Sequence, residues 1–238
     1  MVKLEGVYVP AEELYEWNGW PMITFPVVDG DFLPAHPALL MRSGNYSHVD
    51  VITGGVRHEG SVFSLSILLN KNVKNQLEEN FTTAGPISLS FGEWESNRVY
   101  LTKRVYYHYL GEPKITKDNA QEFTQMLTDI SFGAAQEIMS ELHTAHGAAH
   151  GINVFKYLLQ HRGQHGSSDL YARKYNATLH KGWVGHGDDL QYLFNAEPGG
   201  KSSLQRPDDL FMSHTFVTLW TNFATTGKWS SIETYQRR

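Results

Sequence analysis

A glutamate and a histidine, Glu59 and His186, stand 127 positions apart, each in a loop that glycine allows to turn tightly: Glu59 precedes Gly60, and His186 lies between Gly185 and Gly187. A carboxylate within reach of an imidazole orients the ring and stabilises its cation, leaving the second ring nitrogen to take a proton from an alcohol nucleophile. An acid that precedes its histidine is one of the chain orders in which Ser-His-acid chemistry is built. Spacing alone leaves a plainer reading open, a solvated glutamate and an unpaired loop histidine. A second group, His143, His146 and His150, has the i, i+3, i+7 spacing of one helix face and could hold zinc or another divalent ion. No carboxylate beyond Glu141 accompanies it, and a solvated or packed histidine face is the simpler account.

The attacking group of such chemistry is missing from the pattern. There is no cysteine, which excludes a thiol nucleophile, a disulfide framework and a Cys-ligated metal. No serine has glycine both two before and two after it; Ser131, in Asp129-Ile130-Ser131-Phe132-Gly133, has only the second. A strained strand-to-helix nucleophile turn needs both. No His-Gly-Gly-Gly stretch offers an oxyanion hole either.

The elements that must position these residues read as alternating helix and strand. Pro10 to Tyr15 opens like a helix, with Pro and acids in its first turn. Phe25 to Pro34 runs from β-branched residues into an Asp29-Gly30 turn. Residues 37 to 44 read as a short helix ending near Gly44. Val49 to Val56 reads as a buried strand stopped by glycines, and the Arg57-His58-Glu59-Gly60 loop leaves its carboxyl end, where α/β folds keep their sites. Residues 61 to 135 read as a mostly helical insertion with Pro86 and Pro113 as breaks, and Ala134 to Ala149 as a helix with Ile138, Met139 and Leu142 on one face. Val154 to Leu159 reads as a second strand, Gly163 to Gly185 as a loop region, the run after Asp188 and Asp189 as a helix with acidic caps, and 207 to 226 as a helix ending at Gly227. The class is α/β, with too few strands for a complete large sheet.

The 238 residues are 41% hydrophobic and 19% charged, ordinary globular composition that suits a single domain. A net charge of −5 without a Lys/Arg cluster argues against a nucleic-acid partner. No apolar run reaches membrane-spanning length, and Met1 to Gly6 lacks the apolar core of a signal peptide. Asn45, Asn80 and Asn176 each begin a glycosylation sequon, relevant only on a secretory route.

Five segments together resemble the C-terminal half of the type-B carboxylesterase and cholinesterase family: Phe25 to Pro34; Gly55 to Ser61 around Glu59-Gly60; His161-Arg162-Gly163; His186-Gly187-Asp188-Asp189-Leu190 with Tyr192-Leu193-Phe194; and Met212-Ser213 through Gly227. They fall in family order over nearly the whole chain. The resemblance implies an incomplete α/β-hydrolase fold, residues 1–238 forming a partial esterase domain, with Glu59 as triad acid and His186 as triad base. It implies a small-molecule carboxylic ester as substrate of the full-length protein, no cofactor, no metal, and secretion of the full-length form. His161 and Arg162 match a structural strand-end motif, and Asp188 and Asp189 are expected to cap the next helix and support the histidine loop. Two positions depart from the pattern: His58 stands where Asp usually precedes the acid, and Trp183 where glycine is common. Because the family places the nucleophile elbow and oxyanion segment earlier, the expectation is a C-terminal part, inactive and poorly stable alone. A non-catalytic binding or adhesion relative is the alternative. Trp94, Tyr106, Tyr107 and Tyr109 are expected to serve mostly as core, with some lining a pocket.

Overall fold

Val51–Val56 forms strand β1 and Val154–Leu159 strand β2, and the two pair in parallel with Val51 opposite Val154 and Val56 opposite Leu159. The computed structural model describes residues 27–92, 95–169, 182–194 and 204–229. β-branched and aromatic residues favour this pairing, and two glycines shape its site end. At Gly54 a Cβ would lie 2.0 Å from the Tyr157 ring, and at Gly55 2.9 Å from the Glu59 carboxylate. The bare backbone at Gly55 therefore admits the Glu59 side chain against the strand it has just left. Past β1, the Arg57 N–H donates to Leu159 O at 3.0 Å, the His58 N–H donates to Val184 O at 2.9 Å, and His58 bridges Gly185 in parallel sense.

Parallel strands require a long crossover, and here it is helical. Before the sheet, α1 (Pro37–Ser43) starts on Pro37 and ends at Gly44, whose φ of 72° is a left-handed cap. Between the strands run α2 (Ser61–Leu69), α3 (Lys71–Glu79), α4 (Phe81–Ser88), α5 (Arg98–Leu110), α6 (Ala120–Thr128) and α7 (Ala134–Gly147), with a π turn at Asp129–Gly133 joining the last two. Ile67, Leu77, Phe81, Tyr106, Phe123 and Met126 make their common core. Each such side chain, fully buried, contributes roughly 1.5–3 kcal/mol. After β2 come α8 (Leu190–Phe194) and α9 (Pro207–Thr226). A second core of Val56, Leu159, Val184, Tyr192 and Phe216 packs α8 and α9 against the strands.

Several expectations change. Pro86 lies inside α4 rather than breaking it, two residues before the helix ends. The buried face of α7 is Ser140, His143 and Gly147, while Ile138 is 53% exposed. Tyr106 is core and Tyr107 exposed; Tyr109 donates to Asp129 at 2.7 Å. At the 29–33 turn, Asp29 Oδ1 accepts from the N–H groups of Asp31 and Leu33. The proposed helix at 10–15, Trp94 and Asn176 lie outside the described residues, whereas Asn45 and Asn80 are exposed. Among the described residues no helix is long and apolar enough to cross a membrane.

Candidate active site

Glu59 and His186 meet. Glu59 Oε2 accepts from His186 Nδ1 at 2.6 Å, and its other oxygen accepts from the Val56 N–H at 2.9 Å. An ionised carboxylate only accepts, so the Nδ1 proton belongs to the imidazole, and in the neutral ring Nε2 carries the free lone pair. The hydrogen bond to Glu59 raises the His186 pKa against an opposing effect of burial, with further help from Glu59, Asp189 and Asp188 charge.

Both residues owe their places to close backbone contacts. Gly60 presses against α6, where a Cβ would meet Thr128 N at 2.4 Å, and its N–H donates to Thr128 Oγ1 at 2.9 Å. The backbone of Glu59 is thus seated on a helix. On the histidine side, Gly187 has φ +80°, and the Gly185 N–H donates to Asp188 Oδ2 at 2.8 Å. The His186 N–H donates to Ser61 Oγ at 3.4 Å.

Asp188 is only 2% exposed, and its other oxygen accepts from the Ser167 N–H at 2.6 Å. Burial raises its pKa, and the two backbone donors oppose that shift. It supports the histidine loop as expected. Neither it nor Asp189 caps α8 through its side chain: Asp189 accepts from the Tyr157 hydroxyl at 2.8 Å, and the first helical N–H, that of Leu190, donates to Gly187 O. Among the strand-end residues, His161 pairs with fully buried Asp209 at 2.7 Å, and Arg162 with Asp169 at 2.6 Å. The first contact ties the start of α9 to the end of β2.

The two positions that depart from the family pattern are in contact. His58 and Trp183 stack at 5.6 Å between ring centroids and 17° between planes, and both are buried. The π turn carries Phe132 against His186, at 5.2 Å between centroids. An open cleft of about 410 Å³ beside Glu59 is lined by Phe132, Gln125, Asp129, Gln136 and Leu158 among others. Sequence periodicity gave no sign of Phe132, because a π turn is one extra residue in an otherwise ordinary helical run.

The three helical histidines do not converge on one point. His143 Nε2 bonds Val49 O at 2.7 Å, His146 Nδ1 pairs with the Tyr46 hydroxyl at 3.1 Å, and His150 packs on His48. Among the described residues no group of three His, Cys, Asp or Glu is arranged to hold a metal ion.

Comparison with known proteins agrees with this architecture. The model of the carboxylesterase family matches residues 12–237. Human bile salt-activated lipase is 27% identical over 217 residues, covering 87% of this chain and 26% of the lipase. Mouse neuroligin-3 is 23% identical over 231 residues, covering 91% of this chain and 26% of its own length. The chain thus spans about a quarter of these relatives. The crystal structure of Manduca sexta juvenile hormone esterase with OTFP covalently attached superposes with a TM-score of 0.64 at 18% identity, over 94% of this chain and 43% of that one. The shared fold is an α/β-hydrolase fold, of which this chain holds part.

Proposed function

Because this chain belongs to the carboxylesterase family, we propose that Glu59 and His186 are the acid and base of a serine carboxylic-ester hydrolase. The observation that carries the reading is the 2.6 Å contact between Glu59 Oε2 and His186 Nδ1, which leaves Nε2 free. In that role Nε2 takes the proton from a serine hydroxyl as it attacks the ester carbonyl, then returns it to the departing alcohol. Glu59 stays ionised, holds the tautomer and stabilises the imidazolium. Water later repeats the cycle on the acyl-enzyme.

The 238 residues contain no Gly-x-Ser-x-Gly and no His-Gly-Gly-Gly, the motifs that would supply the serine and the oxyanion donors. We therefore assign the chain the general-base half of the machinery and no ester turnover by itself. A small carboxylic ester is the substrate class.

The test is hydrolysis of p-nitrophenyl butyrate by the 238-residue chain and by the polypeptide that carries these residues in its native context. The expected result is no His186-dependent turnover by the chain, and turnover in native context that falls by about 10⁴-fold on His186→Ala. Native-context activity that survives His186→Ala or Glu59→Ala would overturn the assignment. Organophosphate-sensitive turnover by the chain alone would overturn its inactivity. The neuroligin-3 match favours a second reading, a non-catalytic esterase-like binding protein, and complete absence of turnover in native context would select it.

A further inference from the structure

The Glu59–His186 contact is a poor candidate for holding its own two loops together. The His186 side chain is 51% exposed, and an ion pair in contact with water contributes little to order. Yet the geometry is close, so something else must set the distance between the loops.

One residue before Glu59, His58 is 4% exposed and grips Val184 twice: its N–H donates to Val184 O at 2.9 Å, and its Nδ1 accepts from the Val184 N–H at 3.0 Å. Val184 is itself 1% exposed and lies two residues before His186. The two catalytic loops are thus clamped at a buried point one residue from the acid and two from the base. Trp183 lies flat on the His58 ring and packs with Leu65 and Ala120, which fixes the ring's rotation. Accepting through Nδ1 requires a neutral ring protonated on Nε2, the opposite tautomer to that of His186. Burial and the adjacent Arg57 both disfavour the cation, holding the His58 pKa down at about 4.

We propose that His58 is a positioning residue: its unprotonated Nδ1, held in place by Trp183, clamps the acid loop to the base loop and so sets the Glu59–His186 hydrogen bond. The two departures from the family pattern are then one device. An aspartate at 58 could accept from Val184 but would leave the face of Trp183 uncovered; a glycine at 183 would offer nothing to stack on. The clamp matters for catalysis only if the acid–base reading above holds. Its existence is a separate question, read without turnover.

The experiment is ¹⁵N NMR of the imidazoles in the 238-residue chain, with two variants of opposite character. His58→Asn places a carbonyl oxygen where Nδ1 stands and removes the stack; His58→Phe keeps the stack and removes the acceptor. The expected result is that His186 keeps most of its raised pKa in His58→Asn, which retains the acceptor without its stacked support, while in His58→Phe its pKa drops back toward the ordinary imidazole value. In His58→Phe the Val184 amide should also exchange at least about tenfold faster, the cost of one orphaned buried donor. An unchanged His186 titration in His58→Phe would overturn the proposal, as would an equal loss in both variants. If a variant does not fold, the parent decides: His58 must be neutral and unprotonated on Nδ1 at pH 7, and a protonated Nδ1 there refutes the clamp.

Discussion

Replacing Gly60 by alanine adds one methyl group at the point where the Glu59 loop touches α6, and its consequences can be worked out from distances. The new carbon would lie 2.4 Å from Thr128 N, 2.6 Å from Thr124 O and 2.7 Å from Leu127 C. All three are backbone atoms of one helical turn, so no side chain can swing aside. Ordinary contact at ~3.4 Å demands that loop and helix part by about 1 Å. That separation strains the 2.9 Å bond from the Gly60 N–H to Thr128 Oγ1 and carries Glu59 with it. The same displacement stretches the 2.6 Å contact between Glu59 and His186 to at most roughly 3.6 Å, at which it leaves hydrogen-bonding range. Overpacking costs ~1–3 kcal/mol and the lost buried hydrogen bond about 1 more, so Gly60→Ala is expected to destabilise by about 2–4 kcal/mol. Gly133→Ala is the control in the same cleft: its nearest non-neighbour atom is Thr128 O at 3.6 Å, an ordinary contact, and a change within ~0.5 kcal/mol is expected. Urea unfolding gives the energies, and the NMR titration of His186 reports the site, its raised pKa falling back in Gly60→Ala. Equal stability of both variants, with an unaltered His186 titration in Gly60→Ala, would refute the packing argument.

Other outcomes follow from the same contacts. His58, with a folded pKa of about 4 against an ordinary 6.5, contributes stability that is whole above about pH 6.5 and is lost as pH falls through about 4. His186 has the opposite sign: its folded pKa is raised, so its contribution is whole below about pH 6.5 and is lost as pH rises through the folded value. Urea midpoints from pH 4 to 9 should show both limbs, the acid one reduced in His58→Asn and the alkaline one reduced in Glu59→Gln; a limb of unchanged size in its variant contradicts this. Asp188→Ala leaves the buried Gly185 N–H and the half-buried Ser167 N–H without an acceptor and should cost about 2–4 kcal/mol, with faster exchange of the Gly185 amide. Asp188→Asn keeps one acceptor and should cost less; equal stability of the two would be unexpected. Asp209→Ala removes the fully buried acceptor of the His161 and Gln164 N–H hydrogen bonds, and should destabilise by about 2–4 kcal/mol in the same assay.

Glu59 and His186 were legible as a candidate pair in the sequence because each sits in a short run of glycine and polar residues whose wording is local, and the structure brings the two side chains into contact. So were β1 and β2, as runs rich in β-branched and aromatic residues, and α1 and α9, whose ends are written in Pro and Gly. What decides the site's geometry was not legible, since it depends on residues far apart in the chain. Nothing near His58 announces Val184, 126 positions away, and nothing near Gly60 announces Thr128, 68 away. Asp188 and Asp189 read as helix caps because capping is the commonest use of Asp before a helix; the Gly185 amide within the same loop and two distant donors, the Ser167 amide and the Tyr157 hydroxyl, claimed both instead. Ile138 shows the same limit from the other side, since helical spacing puts residues on one face without saying which face is covered.

The most direct measurement of the central claim is the tautomer of His186, read from its ring ¹⁵N shifts above its pKa in the parent and in Glu59→Ala. The account requires a neutral ring protonated on Nδ1 in the parent, with a downfield Nδ1 proton that disappears when Glu59 is removed. A ring protonated on Nε2, and indifferent to the loss of Glu59, would contradict it.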